Sequence, residues 1–198
     1  MQVKNMKGRV VGLCLMATAL TGGATLSGCT VTTPKDRASA VAQQESLHNE
    51  VQASLNRLYR ASPQAQSMVK NAKGVLVFPK VYGASFMVGA EHGKGELLIN
   101  DKTSGYYSIN EASLGFQIGA QSRAVIYLFM TQESLNNFRS SHNWSAGADA
   151  SVAVADIGAN GSIDTHTAGR QVVSFVLNNA GLQGGVSLSG AKINQINF

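Results

Sequence analysis

Ala124-Val125-Ile126-Tyr127-Leu128-Phe129-Met130 is continuously apolar, rich in β-branched and aromatic residues, and carries no charge. A run of this length and composition predicts a strand covered on both faces, at the centre of a sheet. Thr131 follows as a cap for a helical turn or two, with Glu133 near the positive end and Leu135 and Phe138 directed inward. Upstream, Val75-Leu76-Val77-Phe78 reads as a short strand stopped by Pro79. Glycine then recurs in and around apolar runs, at Gly83, Gly89, Gly93, Gly95, Gly105, Gly115 and Gly119. Within strands such glycines mark bulges, tight bends or close backbone approach, which suits a strongly curved antiparallel sheet. Trp144 to His166 is rich in Gly, Ala and Ser and predicts smaller strands with tight turns. Val172 to Leu177 and Val186 to Ile196 supply the last strands, separated by the turn-rich Asn178-Asn179-Ala180-Gly181 and Gly184-Gly185.

Ahead of this region the pattern is helical. Leu47, Val51, Leu55 and Leu58 recur on one helical face between Ala40 and Arg60, and Arg57 and Arg60 fall near its C-terminal end. Ser62-Pro63 reads as a cap and first residue of a second helix that turns Ala65, Met68, Val69 and Ala72 inward. The fold expected is therefore α+β: N-terminal helices packed on a strongly curved, glycine-rich antiparallel β-sheet or partial barrel, in a single domain over residues 40–198.

The N-terminus has a different purpose. Lys4, Lys7 and Arg9 precede the uncharged run Val10 to Leu20, and Leu26-Ser27-Gly28-Cys29 matches the bacterial lipobox. Residues 1–28 read as a lipoprotein signal peptide, with Cys29 the lipidated residue. A transmembrane helix is disfavoured, because the run falls short of the ~20 residues needed and Gly22, Gly23 and Gly28 break up any extension of it. Thr30 to Ser39 is polar and contains Pro34, so residues 29–39 are expected to be an acylated cysteine and flexible tether. Thr30 is not the aspartate associated with inner-membrane retention, which favours the outer membrane. The signal carries three of the 16 Lys and Arg and none of the 11 Asp and Glu, so its removal lowers the formal charge from +5 to +2. That balance does not support a nucleic-acid partner. With Cys14 removed and Cys29 acylated, no thiol remains for a disulfide, a nucleophile or a metal.

Lys73-Gly74-Val75-Leu76-Val77-Phe78-Pro79-Lys80 is followed by Gly89 and a Gly93-Lys94-Gly95 turn, then by Ser113-Leu114-Gly115-Phe116-Gln117-Ile118-Gly119-Ala120-Gln121. Gly147-Ala148-Asp149-Ala150, Gly181-Leu182 and Gly185-Val186-Ser187-Leu188 come after them in order. Together these segments resemble one known family, the SYLF domain. The resemblance implies a non-enzymatic protein: animal members bind phosphoinositides, often through a basic amphipathic N-terminal segment, fungal members also bind actin, and many bacterial ones are secreted or acylated. Tyr106-Tyr107 stands where the family has a tryptophan, and Ser174-Phe175-Val176-Leu177 only loosely echoes the Ser-Tyr-Leu-Phe stretch.

No acid occurs between Val51 and Ala90, whereas Arg57, Arg60, Lys70, Lys73 and Lys80 all do. The resemblance assigns lipid contact to this region, and hence to these five residues, against the alternative of a solvated helix face. The expected function is recognition of anionic lipid headgroups by an anchored envelope protein. The alternative is an interaction lipoprotein that binds an envelope or host protein and uses lipid only as its anchor. An integral outer-membrane barrel is disfavoured, because the strands look short and the aromatics few. Catalysis finds little support. His48, His92, His142 and His166 are not at metal-ligand spacing, Asp164-Thr165-His166 is an isolated Asp-x-His, and Gly185-Val186-Ser187-Leu188-Ser189 lacks the second glycine of a nucleophile elbow. No cofactor is expected. Trp144 reads either as an exposed membrane anchor or, more commonly, as partly buried core.

Overall fold

The computed structural model describes residues 34–86, 88–113, 121–155, 163, 169–179, 181–183 and 187–198. The signal segment, Cys29, most of the 113–121 motif and the Asp164-His166 pair lie outside the described residues. Thr33–Phe198 forms one compact unit.

Helix α1 spans Pro34–Ala61 and α2 spans Pro63–Asn71. Helix α1 starts earlier than expected, so Pro34 to Ser39 is helical rather than part of a flexible tether. Proline is favoured in the first helical turn, and Lys35, Arg37, Ala38 and Ala40 are good helix formers. Ser62 caps α2 as expected, its hydroxyl accepting from the Ala65 N–H at 3.3 Å. Leu47, Val51, Leu55 and Leu58 are all buried, as their spacing requires.

The strands are β1 (Gly74–Phe86), β2 (Val88–Ile99), β3 (Lys102–Ser113), β4 (Gln121–Phe129), β5 (Trp144–Ser145), β6 (Val152–Val154), β7 (Val172–Asn178), β8 (Gly181–Gln183) and β9 (Lys192–Ile196). They form one strongly curled sheet, a half-barrel, in the order β5-β9-β3-β2-β1-β4-β7-β6, with β8 on β7. All pairings are antiparallel except β6 with β7, which is parallel. A parallel pair cannot be joined by a tight hairpin turn, and β6 and β7 are well separated in sequence. Ala124 to Phe129 is buried throughout, between β1 and β7.

Alternation along the strands divides the core in two. One face turns Val75, Val77, Leu98, Ala124, Ile126 and Leu128 toward α1 and α2. The other turns Leu76, Phe78, Val81, Ile109, Val125 and Phe129 toward helix α3 (Gln132–Ser140) and Trp144. Thr131 caps α3, accepting from Ser134 N–H at 3.2 Å. Trp144 is 1 % exposed and makes edge contacts with Tyr127, Phe129 and Phe138, so it is core and not a membrane anchor.

Two expectations about β1 and β2 fail together. Pro79 does not stop β1; the strand continues through a bulge, where the register with β2 shifts between Val77 and Lys80. Gly93-Lys94-Gly95 is not a turn but the interior of β2, opposite that bulge. A Cβ on Gly93 would sit 2.7 Å from the Lys80 carbonyl oxygen, and one on Gly95 would sit 2.6 Å from the Val77 carbonyl and collide with the Phe78 ring. The glycines give the bulged backbone room. The actual reversal between β2 and β3 is Asn100-Asp101, both with positive φ, as a two-residue hairpin turn requires. At 12–13 residues, β1 to β3 are also longer than the short strands anticipated. No helix among the described residues is long and apolar enough to cross a membrane.

Candidate functional site

The five cations expected to contact lipid do not converge. Arg57, near the end of α1, is half-buried and donates from Nη2 to the Asn178 carbonyl at 2.6 Å, pinning the helix to the β7–β8 turn. Lys80, on β1, places Nζ 2.6 Å from Glu50 Oε1 on α1. That hydrogen bond holds the Lys80 ammonium above the usual lysine value. Arg60, Lys70 and Lys73 are exposed, and none takes part in an ion pair among the described residues. Lys70 lies in the last turn of α2 and Lys73 just beyond it, while Arg60 lies about 14 Å away along a nine-residue helix. Lys73 and Lys80 flank opposite ends of the first half of β1, roughly 20 Å apart at strand rise, beyond the Debye length of physiological salt. The basic segment therefore resolves into three exposed cations at the two ends of α2, Arg60 at one and Lys70 with Lys73 at the other, and two cations already engaged.

A cleft of ≈ 370 Å³ opens between α1 and the bulged region of β1 and β2. Leu47, Pro79 and the Phe198 ring form apolar walls, and Lys80, His92 and Lys94 bring charge or polarity. Lys94 Nζ lies 4.7 Å from the centroid of the Phe198 ring, a cation–π distance. Tyr82, 58 % exposed, stands at the same cleft. His92 Nδ1 is 2.8 Å from Asn110 Oδ1 across β2 and β3. Sequence reasoning missed this cleft, since its residues come from α1, two strands and the C-terminal end.

Two further polar clusters stabilise the sheet. Glu96 is fully buried on the α1 face, where His48 Nδ1 lies 3.1 Å from Oε2 and Thr103 donates to Oε1. On the opposite face, Arg123 of β4 reaches across β1 to Glu91 of β2 at 2.8 Å and Glu111 of β3 at 2.7 Å. It can do so because Gly83 carries no side chain between them. Burial pushes the Glu111 carboxyl above its ordinary value, opposed by Arg123. Burial likewise raises the nearby Tyr127 phenol, whose hydroxyl has no hydrogen-bond partner among the described residues. His142 is exposed, and no group of three His, Cys, Asp or Glu able to hold a metal occurs among the described residues.

Residues 110–197 match the family model described as Ysc84, Las17-binding protein actin regulator. Over that span the chain is similar to the SYLF family. The SYLF match begins in β3 and runs through β9, so it covers the central strand, α3 and the Glu111–Arg123 contact. It leaves out α1, α2, β1 and β2, and with them all five candidate lipid-binding cations. SYLF is not known as an enzyme family. No curated protein matches the sequence.

Proposed function

We propose that this is a non-catalytic lipoprotein, anchored at the outer membrane through acylated Cys29, whose SYLF-type domain recognises anionic lipid headgroups. The observation that carries the reading is that Arg60, Lys70 and Lys73, at the two ends of α2, are exposed cations, none in an ion pair among the described residues, in a segment of the chain that has no acid. Each such residue near an anionic surface is worth about 1 kcal/mol, so three acting together give roughly 100-fold preference over a neutral surface. Arg57 and Lys80 contribute less, because Asn178 and Glu50 already hold them.

The test is co-sedimentation of the chain carrying Cys29→Ser with phosphatidylglycerol-containing vesicles and with phosphatidylcholine vesicles. Selective pelleting with the anionic vesicles, lost in the Arg60→Glu, Lys70→Glu, Lys73→Glu variant, supports the proposal; equal absence from both pellets refutes it. Incorporation of labelled palmitate into the parent chain but not the Cys29→Ser variant tests the anchor. A protein partner is the second reading, favoured by the family description as a Las17-binding actin regulator and by exposed Tyr82. Capture of an envelope protein that persists in high salt would distinguish it, since apolar interfaces survive screening.

A further inference from the structure

Ser122, Tyr82, His92 and Asn110 are successive register partners across β4, β1, β2 and β3, so their side chains stand in one row on the α1 face of the sheet. All four are exposed, and Tyr82 is the one large aromatic ring left exposed among the described residues. At the middle of the row, Tyr82 and His92 line the ≈ 370 Å³ cleft beside α1. A volume of this size lies at the lower end of small-molecule sites. Charge does not select what enters it. Lys80 Nζ lies 2.6 Å from Glu50 Oε1, and the terminal carboxylate of Phe198 lines the same cleft beside Lys94, so the cations are matched by anions. What remains is uncharged: ring and apolar surface from Tyr82, Phe198 and Pro79, with hydrogen-bonding groups set among them. His92 is oriented for such a role, because its Nδ1–H donates to Asn110 Oδ1 at 2.8 Å and leaves Nε2 of the neutral ring as an acceptor. From α1, Gln43 brings an amide and Ser46 a hydroxyl.

We propose that this cleft binds a neutral carbohydrate, with the C–H face of a sugar ring on Tyr82 and its hydroxyls toward His92, Gln43 and Ser46. A pyranose carries both surfaces that the cleft offers, since its ring C–H groups are apolar and each hydroxyl both donates and accepts. A purely apolar ligand would strip water from the polar groups and leave them unpartnered, at a cost that ring contact does not offset. A charged ligand finds no unmatched charge to meet. The same chemistry has two sources, a free sugar and a unit of a polysaccharide chain. The proposal does not rest on acylated Cys29 or on Arg60, Lys70 and Lys73, none of which lines the cleft.

The test is an NMR titration of the isotope-labelled full chain carrying Cys29→Ser with chitobiose, cellobiose and maltose, and with tri-alanine as the non-sugar control. At least one disaccharide is expected to shift the amide signals of Tyr82, His92 and Gly93 saturably, with an affinity that is the same in low and high salt. Co-sedimentation with insoluble chitin, cellulose and starch separates the sources: retention on the matching polymer identifies a polysaccharide, and disaccharide binding without retention identifies a free sugar. Tyr82→Ala removes an exposed ring without opening the core and should weaken binding about fivefold, whereas Tyr82→Phe should preserve it. His92→Ala should weaken it by a similar factor, the loss of about one hydrogen bond. Absence of saturable shifts with all the disaccharides, tri-alanine binding as tightly as they do, or an affinity unchanged in both alanine variants would overturn the proposal.

Discussion

Replacing Gly95 with alanine tests whether the β1 bulge and the glycines of β2 form one device. The new methyl would lie 2.6 Å from the Val77 carbonyl oxygen, against an ordinary carbon–oxygen contact of about 3.3 Å or more, and would also meet the Phe78 ring. A ring can turn, but the Val77 oxygen belongs to the backbone where β1 pairs with Glu96 of β2. Relief of about 0.7 Å must therefore come from strand separation. Overpacking of this kind costs about 1 to 3 kcal/mol, and a weakened ladder bond adds about 1. Alanine returns about 0.5 to 1 kcal/mol by stiffening the unfolded chain. The net loss is about 1 to 3.5 kcal/mol, a fall in Tm of about 2 to 14 °C for a chain of this size. Gly105→Ala serves as the control, since its Cβ would find its closest neighbour at 3.3 Å in the movable Tyr107 side chain, and should change stability by about 0.5 kcal/mol or less. Thermal unfolding followed by circular dichroism compares the two. If Gly95→Ala proves as stable as Gly105→Ala, the bulge does not depend on that glycine and the account given for it is wrong.

Trp144→Ala should cost about 3 to 5 kcal/mol by emptying the aromatic cluster, and in the parent protein the indole fluorescence should be blue-shifted and resist quenching by iodide. Glu96→Ala should destabilise by about 2 kcal/mol or more, and a double-mutant cycle with His48→Ala should show coupling of about 1 kcal/mol in chemical denaturation; additive effects would mean that the contact contributes nothing. The Glu111 carboxyl is raised by burial, so the folded state holds its proton to higher pH than the unfolded state does. Its contribution to stability is therefore full below the ordinary carboxylate pKa and falls as pH rises through the raised one; Glu111→Gln should flatten that part of the stability–pH curve, measured by urea unfolding.

Local signals in the sequence were reliable where local physics decides. The α1 spacing, the caps Ser62 and Thr131 and the buried run Ala124 to Phe129 each follow from periodicity or from one side chain's hydrogen bond. Pro79 and Gly93-Lys94-Gly95 misled, because proline marks a bulge as readily as a strand end, and glycine marks close approach as readily as a turn. Only the partner strand resolves that ambiguity. The candidate site suffered from the same limit. Five cations contiguous in an acid-free window looked like one patch, but the strand carries Lys80 away from Lys73, and Glu50, one residue outside the window, meets Lys80. The cleft had no linear signature, since Lys80 and Lys94 become neighbours only through the β1–β2 hairpin.

The early start of α1 changes the mechanics of attachment. If Cys29 is acylated, only Thr30 to Thr33 separate it from Pro34, a leash of about 14 Å at full stretch. Beyond it the helix is a strut that sets Arg60 about 40 Å from Pro34. A strut on so short a leash works as a lever rather than a float. On the proposed anchoring, a flat α1 would bring Arg60 to the bilayer that holds Cys29 and an upright one would lift it clear of that leaflet; because α1 is packed on the sheet, the whole domain would turn with it, and that inclination would select which surface is touched.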